Sequence, residues 1–343
     1  MSKIKPAKGA PYARILGVGG YRPVRVVPNE VILEKIDSSD EWIRSRSGIE
    51  SRHWANDEET VAAMSIEAAG KAIADAGIDA EQIGAVVVST VSHFSQTPAI
   101  ATEIADKLGT DKAAAFDISA GCAGFGYGLT LAKGMIVDGS AEYALVIGVE
   151  RLSDLTDLED RSTAFLFGDG AGAVVVGPAK EPGIGPTVWG SEGDKAETIK
   201  QTVPWTDFHT GDASRLPLDS AGNIKFPAIT QEGQAVFRWA VFEMAKVAQQ
   251  ALDAAGISPD ELDVFIPHQA NVRIIDSMVK TLKLPEHVTV ARDIRTTGNT
   301  SAASIPLAME RLLATGEAKS GDTALVIGFG AGLVYAATVV TLP

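Results

Sequence analysis

The chain uses cysteine once in 343 residues, at Cys122, and sets it in the glycine-rich stretch AGCAGFGYG. A lone cysteine commonly behaves as an inert small hydrophobe. This one, however, stands where a candidate strand gives way to a helical run, with Gly121, Ala123 and Gly124 beside it. A helix start is electropositive and lowers a thiol's pKa toward neutrality. Small neighbours let a substrate reach the sulfur and let backbone N–H groups approach a developing oxyanion. The position therefore predicts a nucleophile of lowered pKa, with a buried structural cysteine as the alternative.

A nucleophile needs partners. In FIPHQAN an apolar strand ends at Pro267 and leaves His268 at its carboxyl end, where ligands of open α/β sheets bind. The alternative is a histidine bonded to a loop carbonyl. In TTGNTSAAS, Asn299 occupies a polar turn ahead of a helix, where a cap or turn residue is the alternative. The stretch GFGAGL leads into the strand-like VYAATVV, whereas a dinucleotide fingerprint must open a helix. It reads as a glycine-rich hairpin that offers backbone N–H groups.

The elements that position these residues recur in the chain. DAGIDAEQIGAVVVST, from Asp75, parallels AAGISPDELDVFIPHQ, from Ala254, at an offset of 179, and YALVIGVE (143–150) parallels TALVIGFG (323–330) at 180. Each half alternates apolar strands with helices, which predicts mostly parallel sheets covered on both faces and a duplicated unit of half the chain. Two halves sharing a layer of helices give αβαβα layers. Gly139 meets Gly316 at an offset of 177, and this offset carries Gly121-Cys122 onto Gly298-Asn299. On that basis Cys122 and Asn299 are expected at equivalent helix starts, facing each other across a pseudo-twofold axis.

Bulk composition narrows the function. Hydrophobic residues make up 45% and charged residues 22%, as in a soluble globular protein. A single cysteine leaves no internal disulfide and fits a reducing, cytoplasmic setting. No apolar run approaches membrane-spanning length, and the start has no secretory h-region. The formal charge of −14 argues against nucleic acid. The five histidines show no metal-ligand spacing, so no metal is expected.

Cys122 in AGCAGF, His268 in PHQAN and Asn299 in GNTSAAS, in that order on a duplicated α/β chain, resemble the Cys-His-Asn triad of β-ketoacyl-acyl carrier protein synthase III. This is the initiating condensing enzyme of dissociated bacterial fatty acid synthesis, with the thiolase fold. The resemblance runs nearly the whole chain, through SSDEWIRSRSGIESRHWA, FGDGAGAVV and FGAG. It implies a thiolase-like fold with halves at 12–180 and 181–343. It also implies acylation of Cys122 by an acyl-CoA, followed by decarboxylative condensation with malonyl-acyl carrier protein to 3-oxoacyl-acyl carrier protein, with no cofactor.

The resemblance further implies that His268 and Asn299 bind the enolate oxygen, and that the backbone N–H groups of Cys122 and Ala331 form a second oxyanion hole. Ala331 replaces a glycine common in relatives. Trp42 and Arg161 match residues that hold the adenine of CoA, and Asn271 one that contacts pantetheine. Arg273 and Lys280, on one helix face weakened by Asp276, match the site for the acidic carrier protein; an ordinary solvated face is the alternative. The homodimer is likewise implied by the family. Thr97 in HFSQTP matches a loop that reaches the neighbouring subunit's acyl pocket, and its small side chain predicts a pocket open to branched or longer primers as well as acetyl.

A thiolase is excluded, since its chemistry needs a second cysteine, and Asn299 stands where elongating condensing enzymes need a second histidine. A polyketide-type starter enzyme, hydroxymethylglutaryl-CoA synthase, an acyl-CoA thioesterase and a non-catalytic acyl-CoA binder remain open.

Overall fold

The computed structural model describes residues 4–5, 7–110, 112–211, 214–219 and 221–343. Two five-stranded sheets organise it. The first comprises β1 (Tyr12–Tyr21), β2 (Ile83–Ser89), β3 (Ala114–Ile118), β4 (Tyr143–Arg151) and β5 (Asp169–Ala179), in the order β1-β5-β4-β2-β3. The second comprises β6 (Val188–Ser191), β7 (Val264–Pro267), β8 (Thr289–Val290), β9 (Thr323–Gly330) and β10 (Val334–Thr341), in the order β6-β10-β9-β7-β8. Strand for strand the orders are the same, so the two halves repeat one topology.

The sheets are mixed rather than mostly parallel. β2 runs parallel to β3 and β4, and β7 to β8 and β9, while the β4–β5–β1 and β9–β10–β6 pairings are antiparallel. The reason is visible at GFGAGL, where a tight turn joins β9 to β10, and so short a connection can only reverse the chain.

The principal helices are α1 (Asp40–Ser47), α2 (Val61–Ala76), α3 (Ile100–Leu108), α4 (Gly124–Asp138), α5 (Ala245–Ala255), α6 (Val272–Leu282) and α7 (Ser304–Thr315). Phe125, Leu129 and Ile136 of α4 pack with Ile305, Met309 and Leu312 of α7 between the sheets. Helices α2 and α3 cover the outer face of the first sheet, and α5 and α6 that of the second. These are the five layers expected. Successive strand residues serve alternate layers: Val146 and Val326 face the central helices, while Leu145 and Leu325 face the outer ones. Burial on both faces explains why these strands read as unbroken apolar runs. No helix among the described residues is long and apolar enough to cross a membrane.

The expected equivalence of Cys122 and Asn299 fails. The 3-10 turns Gly121–Ala123 and Ser301–Ala303 open α4 and α7, and their first residues share a left-handed φ, 47° and 48°. That alignment has an offset of 180, so Ala302 is the counterpart of Cys122 and Asn299 lies ahead of the turn. The offset of 177 holds only at the far ends, because α4 has 15 residues and α7 has 12. The two turns interlock instead with the opposite halves. A Cβ on Gly148 of β4 would run into the Ala302 carbonyl, and one on Gly328 of β9 would lie 2.8 Å from the Cys122 carbonyl oxygen.

Candidate active site

Cys122, His268 and Asn299 line one cavity of about 190 Å³, together with Ser301, Phe329 and Ala331. The three side chains singled out from sequence are therefore brought together. Cys122 sits in the turn before α4, against the end of β9. A Cβ on Gly330 would lie 2.8 Å from the Cys122 Cβ and 2.9 Å from Sγ, so this position must be glycine. Ala331 follows, with its backbone nitrogen 3.4 Å from where a Cβ on Gly121 would stand. Its φ is not left-handed, so the alanine side chain adds no strain; the neighbouring Gly332 carries the positive φ of 143°.

His268 is 2% exposed at the carboxyl end of β7, its N–H donating to the Ile327 carbonyl at 2.7 Å. Nδ1 lies 2.7 Å from the Ser304 hydroxyl, which also accepts the Gln269 N–H at 3.4 Å. When the Ser304 hydroxyl donates to Nδ1, Nε2 carries the ring hydrogen and faces outward as a donor. Burial lowers the imidazole pKa to about 3, so the ring is neutral. Phe329 packs at right angles on the ring, 5.3 Å between centroids. His268 is thus a fixed neutral donor.

Asn299 is pinned through its backbone to the 163–168 segment: its N–H donates to the Leu166 carbonyl at 2.8 Å, and its carbonyl accepts from Gly168 at 3.0 Å. Its Oδ1 accepts the Ser301 N–H at 2.9 Å, which leaves the amide NH₂ as the end available to the cavity. The segment is itself anchored by Arg52, wholly buried, which donates to the carbonyls of Val27 (3.0 Å) and Phe165 (2.7 Å) and to Asn29 Oδ1 (2.7 Å). Burial lowers the Arg52 pKa to about 10, which leaves it charged.

The expected lowering of the thiol pKa is not found. Burial pushes Cys122 up to about 12; a hydrogen bond with the Ser301 side chain opposes the rise and the Glu150 charge adds to it. Loss of hydration outweighs what the helix start returns to a thiolate. Sequence reasoning missed Glu150 and its surroundings. This wholly buried carboxylate is next to last in β4 and accepts from Ser92 Oγ (2.7 Å), Val91 N (3.1 Å) and Thr90 Oγ1 (3.3 Å) on Oε2, and from Ser301 Oγ (3.1 Å) on Oε1. Burial raises its pKa to about 7. The signal that could have found it is a charged residue closing the apolar run YALVIGV.

The cavity opens into an outer groove of about 700 Å³, meeting it at Gln231, Val236, Ala270 and Asn299. Trp42, Arg46, Arg238, Asn271 and Arg273 line the groove, so its mouth is cationic; Arg46 and Arg238 were not anticipated. The Arg161 guanidinium lies 5.3 Å from the Trp42 ring centroid, so the two expected adenine partners touch each other directly. Asn271 is the N-cap of α6: its Oδ1 accepts the Arg273 N–H at 2.8 Å and its amide donates to the Arg46 carbonyl at 2.9 Å. Its side chain serves as cap and as tie to α1, the reading its turn position allows for any asparagine.

Arg273 and Lys280 are both exposed on α6. The intervening Asp276 is drawn off by Arg292 at 2.7 Å, so it weakens the basic stripe less than expected. Thr97 is exposed in the β2–α3 connection and does not line the cavity of its own chain.

Comparison with known proteins places these features in a family. The description 3-Oxoacyl-[acyl-carrier-protein (ACP)] synthase III matches residues 116–193, and its C-terminal counterpart matches residues 252–342. The chain is 91% identical to beta-ketoacyl-[acyl-carrier-protein] synthase III 1 of Streptomyces coelicolor, over 100% of both chains. It is 53% identical to the mycobacterial beta-ketoacyl-[acyl-carrier-protein] synthase III of Mycobacterium marinum, over 100% of this chain and 99% of that one. Among solved structures, the priming beta-ketosynthase of the R1128 polyketide biosynthetic pathway superposes with a TM-score of 0.94 at 45% identity, covering 100% of this chain and 99% of the other. The 3-oxoacyl-[acyl-carrier-protein] synthase III of Aquifex aeolicus gives 0.84 at 37%, covering 96% and 99%.

Proposed function

This chain belongs to the 3-oxoacyl-[acyl-carrier-protein] synthase III family, and we propose that Cys122, His268 and Asn299 are the groups with which it performs the family's condensation. The reaction joins an acyl-CoA primer to malonyl-acyl carrier protein, releases CoA and CO₂, and yields the 3-oxoacyl-acyl carrier protein that initiates fatty acid synthesis. The observation that carries the site assignment is the convergence of the thiol, a neutral imidazole donor and an oriented amide on one cavity.

In the first stage Cys122 attacks the primer thioester, the N–H groups of Cys122 and Ala331 receive the oxyanion, and CoA leaves. In the second, malonyl-acyl carrier protein enters and loses CO₂. The enolate oxygen then lies between His268 Nε2–H and the Asn299 amide, and the enolate carbon attacks the acyl group. A cationic imidazolium is not needed; two neutral donors in a dry site suffice to stabilise a developing enolate. Loss of CO₂ drives the carbanion chemistry, so the proposed reaction uses no cofactor.

The cationic groove suits the phosphates of CoA, with Trp42 and Arg161 to hold the adenine once the exposed guanidinium swings from the ring, and Asn271 beside the pantetheine path. Arg273 and Lys280 offer an acidic carrier protein a local reversal of an otherwise negative surface. A homodimer is proposed as the working form. It is supported by the open edge of β3 in the first sheet and by the exposed aromatic patch of Phe94, Trp205 and Phe226 beside the Thr97 loop. Through that loop Thr97 enters the partner's acyl pocket and admits branched or longer primers. A cytoplasmic location keeps the single thiol reduced.

A polyketide starter role is the second reading, favoured by the likeness to the R1128 priming enzyme, although that enzyme is 45% identical and the Streptomyces coelicolor beta-ketoacyl-[acyl-carrier-protein] synthase III 1 is 91%. A two-step assay tests the reading. Mass spectrometry after mixing with acyl-CoA is expected to find the acyl group on Cys122. Adding malonyl-acyl carrier protein is expected to release CO₂ and a 3-oxoacyl product. Free acid alone would make the chain a thioesterase, and no adduct, or one that survives Cys122→Ala, would end the nucleophile assignment.

A further inference from the structure

We propose that Glu150, acting through the Ser301 hydroxyl, takes the thiol proton of Cys122 as the acyl-enzyme forms. The inference rests on the reading of Cys122 as the acylated residue and concerns a step that the triad leaves without an acceptor. In the tautomer that the proposed donor role requires, with Ser304 donating to Nδ1 and the ring proton on Nε2, His268 has no lone pair to offer the sulfur. Its low basicity points the same way.

Ser301 lines the same cavity as Cys122, and its hydroxyl, which donates to Glu150 Oε1 at 3.1 Å, keeps its lone pairs for a proton from the thiol. Ser301 holds this place at a price. Its φ of 48° is left-handed, a conformation that costs a non-glycine residue about 1 kcal/mol or more, and the pseudo-equivalent position in the other half is Gly121 at 47°. What serine has and glycine lacks is the hydroxymethyl group, and that group is spent on this bridge. Among the described residues no cation pairs with Glu150; its four donors are three neutral hydroxyls and one backbone N–H. A buried carboxylate without a counter-charge is basic, and burial brings this one to about 7.

The bridge also solves an electrostatic problem. A thiolate formed beside the Glu150 carboxylate would put two negative charges in one dry pocket. When the thiol proton passes to Ser301 Oγ and the Ser301 proton passes to Oε1, the pocket holds one negative charge before and after, now on sulfur. The sulfur then bonds the thioester carbon and the tetrahedral adduct expels the CoA sulfur. The proton returns from Glu150 through Ser301 to that leaving group. No net proton is taken up in this half-reaction and nothing is oxidised.

The other charged groups near Glu150 are already engaged. Arg151 pairs with Asp154, and Asp169 on β5 accepts from Ser153 and the Ala55 N–H.

The test is the first half-reaction of the full-length protein: the rate of acetyl adduct formation on Cys122 from acetyl-CoA, followed by mass across pH. The wild type is expected to follow a group titrating near 7. Glu150→Gln and Ser301→Gly are each expected to lose that inflection and to acylate at least ten-fold more slowly at neutral pH. Ser301→Gly is sterically suited to its φ and keeps the fold, so it decides the matter even if Glu150→Gln does not fold. Acylation by Ser301→Gly at the wild-type rate with an unchanged profile would overturn the proposal. Absence of any adduct in the wild type would instead remove the nucleophile assignment on which it rests.

Discussion

The hydroxyl of Ser304, in the first turn of α7, stands 2.7 Å from Nδ1 of His268, where by donating it holds the ring proton on Nε2. The site's donor is set by a residue that never meets the substrate. Ser304→Ala frees the ring to sample both tautomers. Decarboxylation of malonyl-acyl carrier protein is expected to fall about ten- to a hundred-fold, less than the 10²–10³ of removing a donor outright. Acylation of Cys122, measured separately, should stay within about two-fold. Equal loss in both half-reactions would contradict this assignment.

Burial of His268 makes stability depend on pH in a defined direction. Its folded pKa, about 3, lies below the ordinary 6.5, so between these values the unfolded chain binds a proton that the folded one refuses. Stability from this group is intact above pH 6.5 and lost on acidification, by about 1.4 kcal/mol per pH unit. Urea midpoints at about pH 6.5 and pH 5 should show the wild type losing about 2 kcal/mol more than His268→Gln. Parallel losses would place the histidine in a wetter environment.

Two adjacent substitutions in the late hairpin should behave oppositely. Gly330→Ala sets a methyl group against Cys122 Cβ and Sγ, and acylation is expected to drop at least ten-fold. Ala331→Gly keeps the backbone N–H, the group proposed to receive the oxyanion, and should leave acylation within about two-fold. Single-turnover acylation of both variants checks the pair; a sensitive Ala331 would mean that its side chain, not its amide, matters.

Lys280 lies on α6 outside the groove that CoA would follow. Lys280→Glu is expected to raise KM for malonyl-acyl carrier protein about ten-fold at low salt, with the effect shrinking as salt is added, and to leave acyl-CoA acylation unchanged. An unchanged KM would return the stripe to ordinary solvated surface.

The proposed primer range rests on the size of Thr97. Turnover with isobutyryl- and hexanoyl-CoA should come within about ten-fold of that with acetyl-CoA, and Thr97→Phe should narrow the range to acetyl. Strict acetyl preference in the wild type would sink the idea.

Cys122, His268 and Asn299 were legible because each interrupts a strand-to-helix junction with a residue type that packing alone does not explain. The layers were legible too, since LVIG in both halves alternates between two apolar cores. What supports the triad was not. Ser301 and Ser304 lie in SAAS among residues that suit any helix start, and their meaning comes from Glu150 and His268, which are 151 and 36 residues away in the chain. The thiol's burial was equally hidden, because the groups that enclose it come from β9 and α7. The internal alignment misled at Asn299 because a gap inside a helix shifts one end and leaves the other in register.

The notches at Gly148 and Gly328 have a consequence for how the chain can be taken apart. Each half supplies the socket for the other half's helix start, and between them lie α4 and α7, apolar toward both sheets. A half expressed alone would present an empty socket and a naked apolar face. The two repeated halves are thus interdependent hemispheres, and the lone cysteine of one is seated against the backbone of the other.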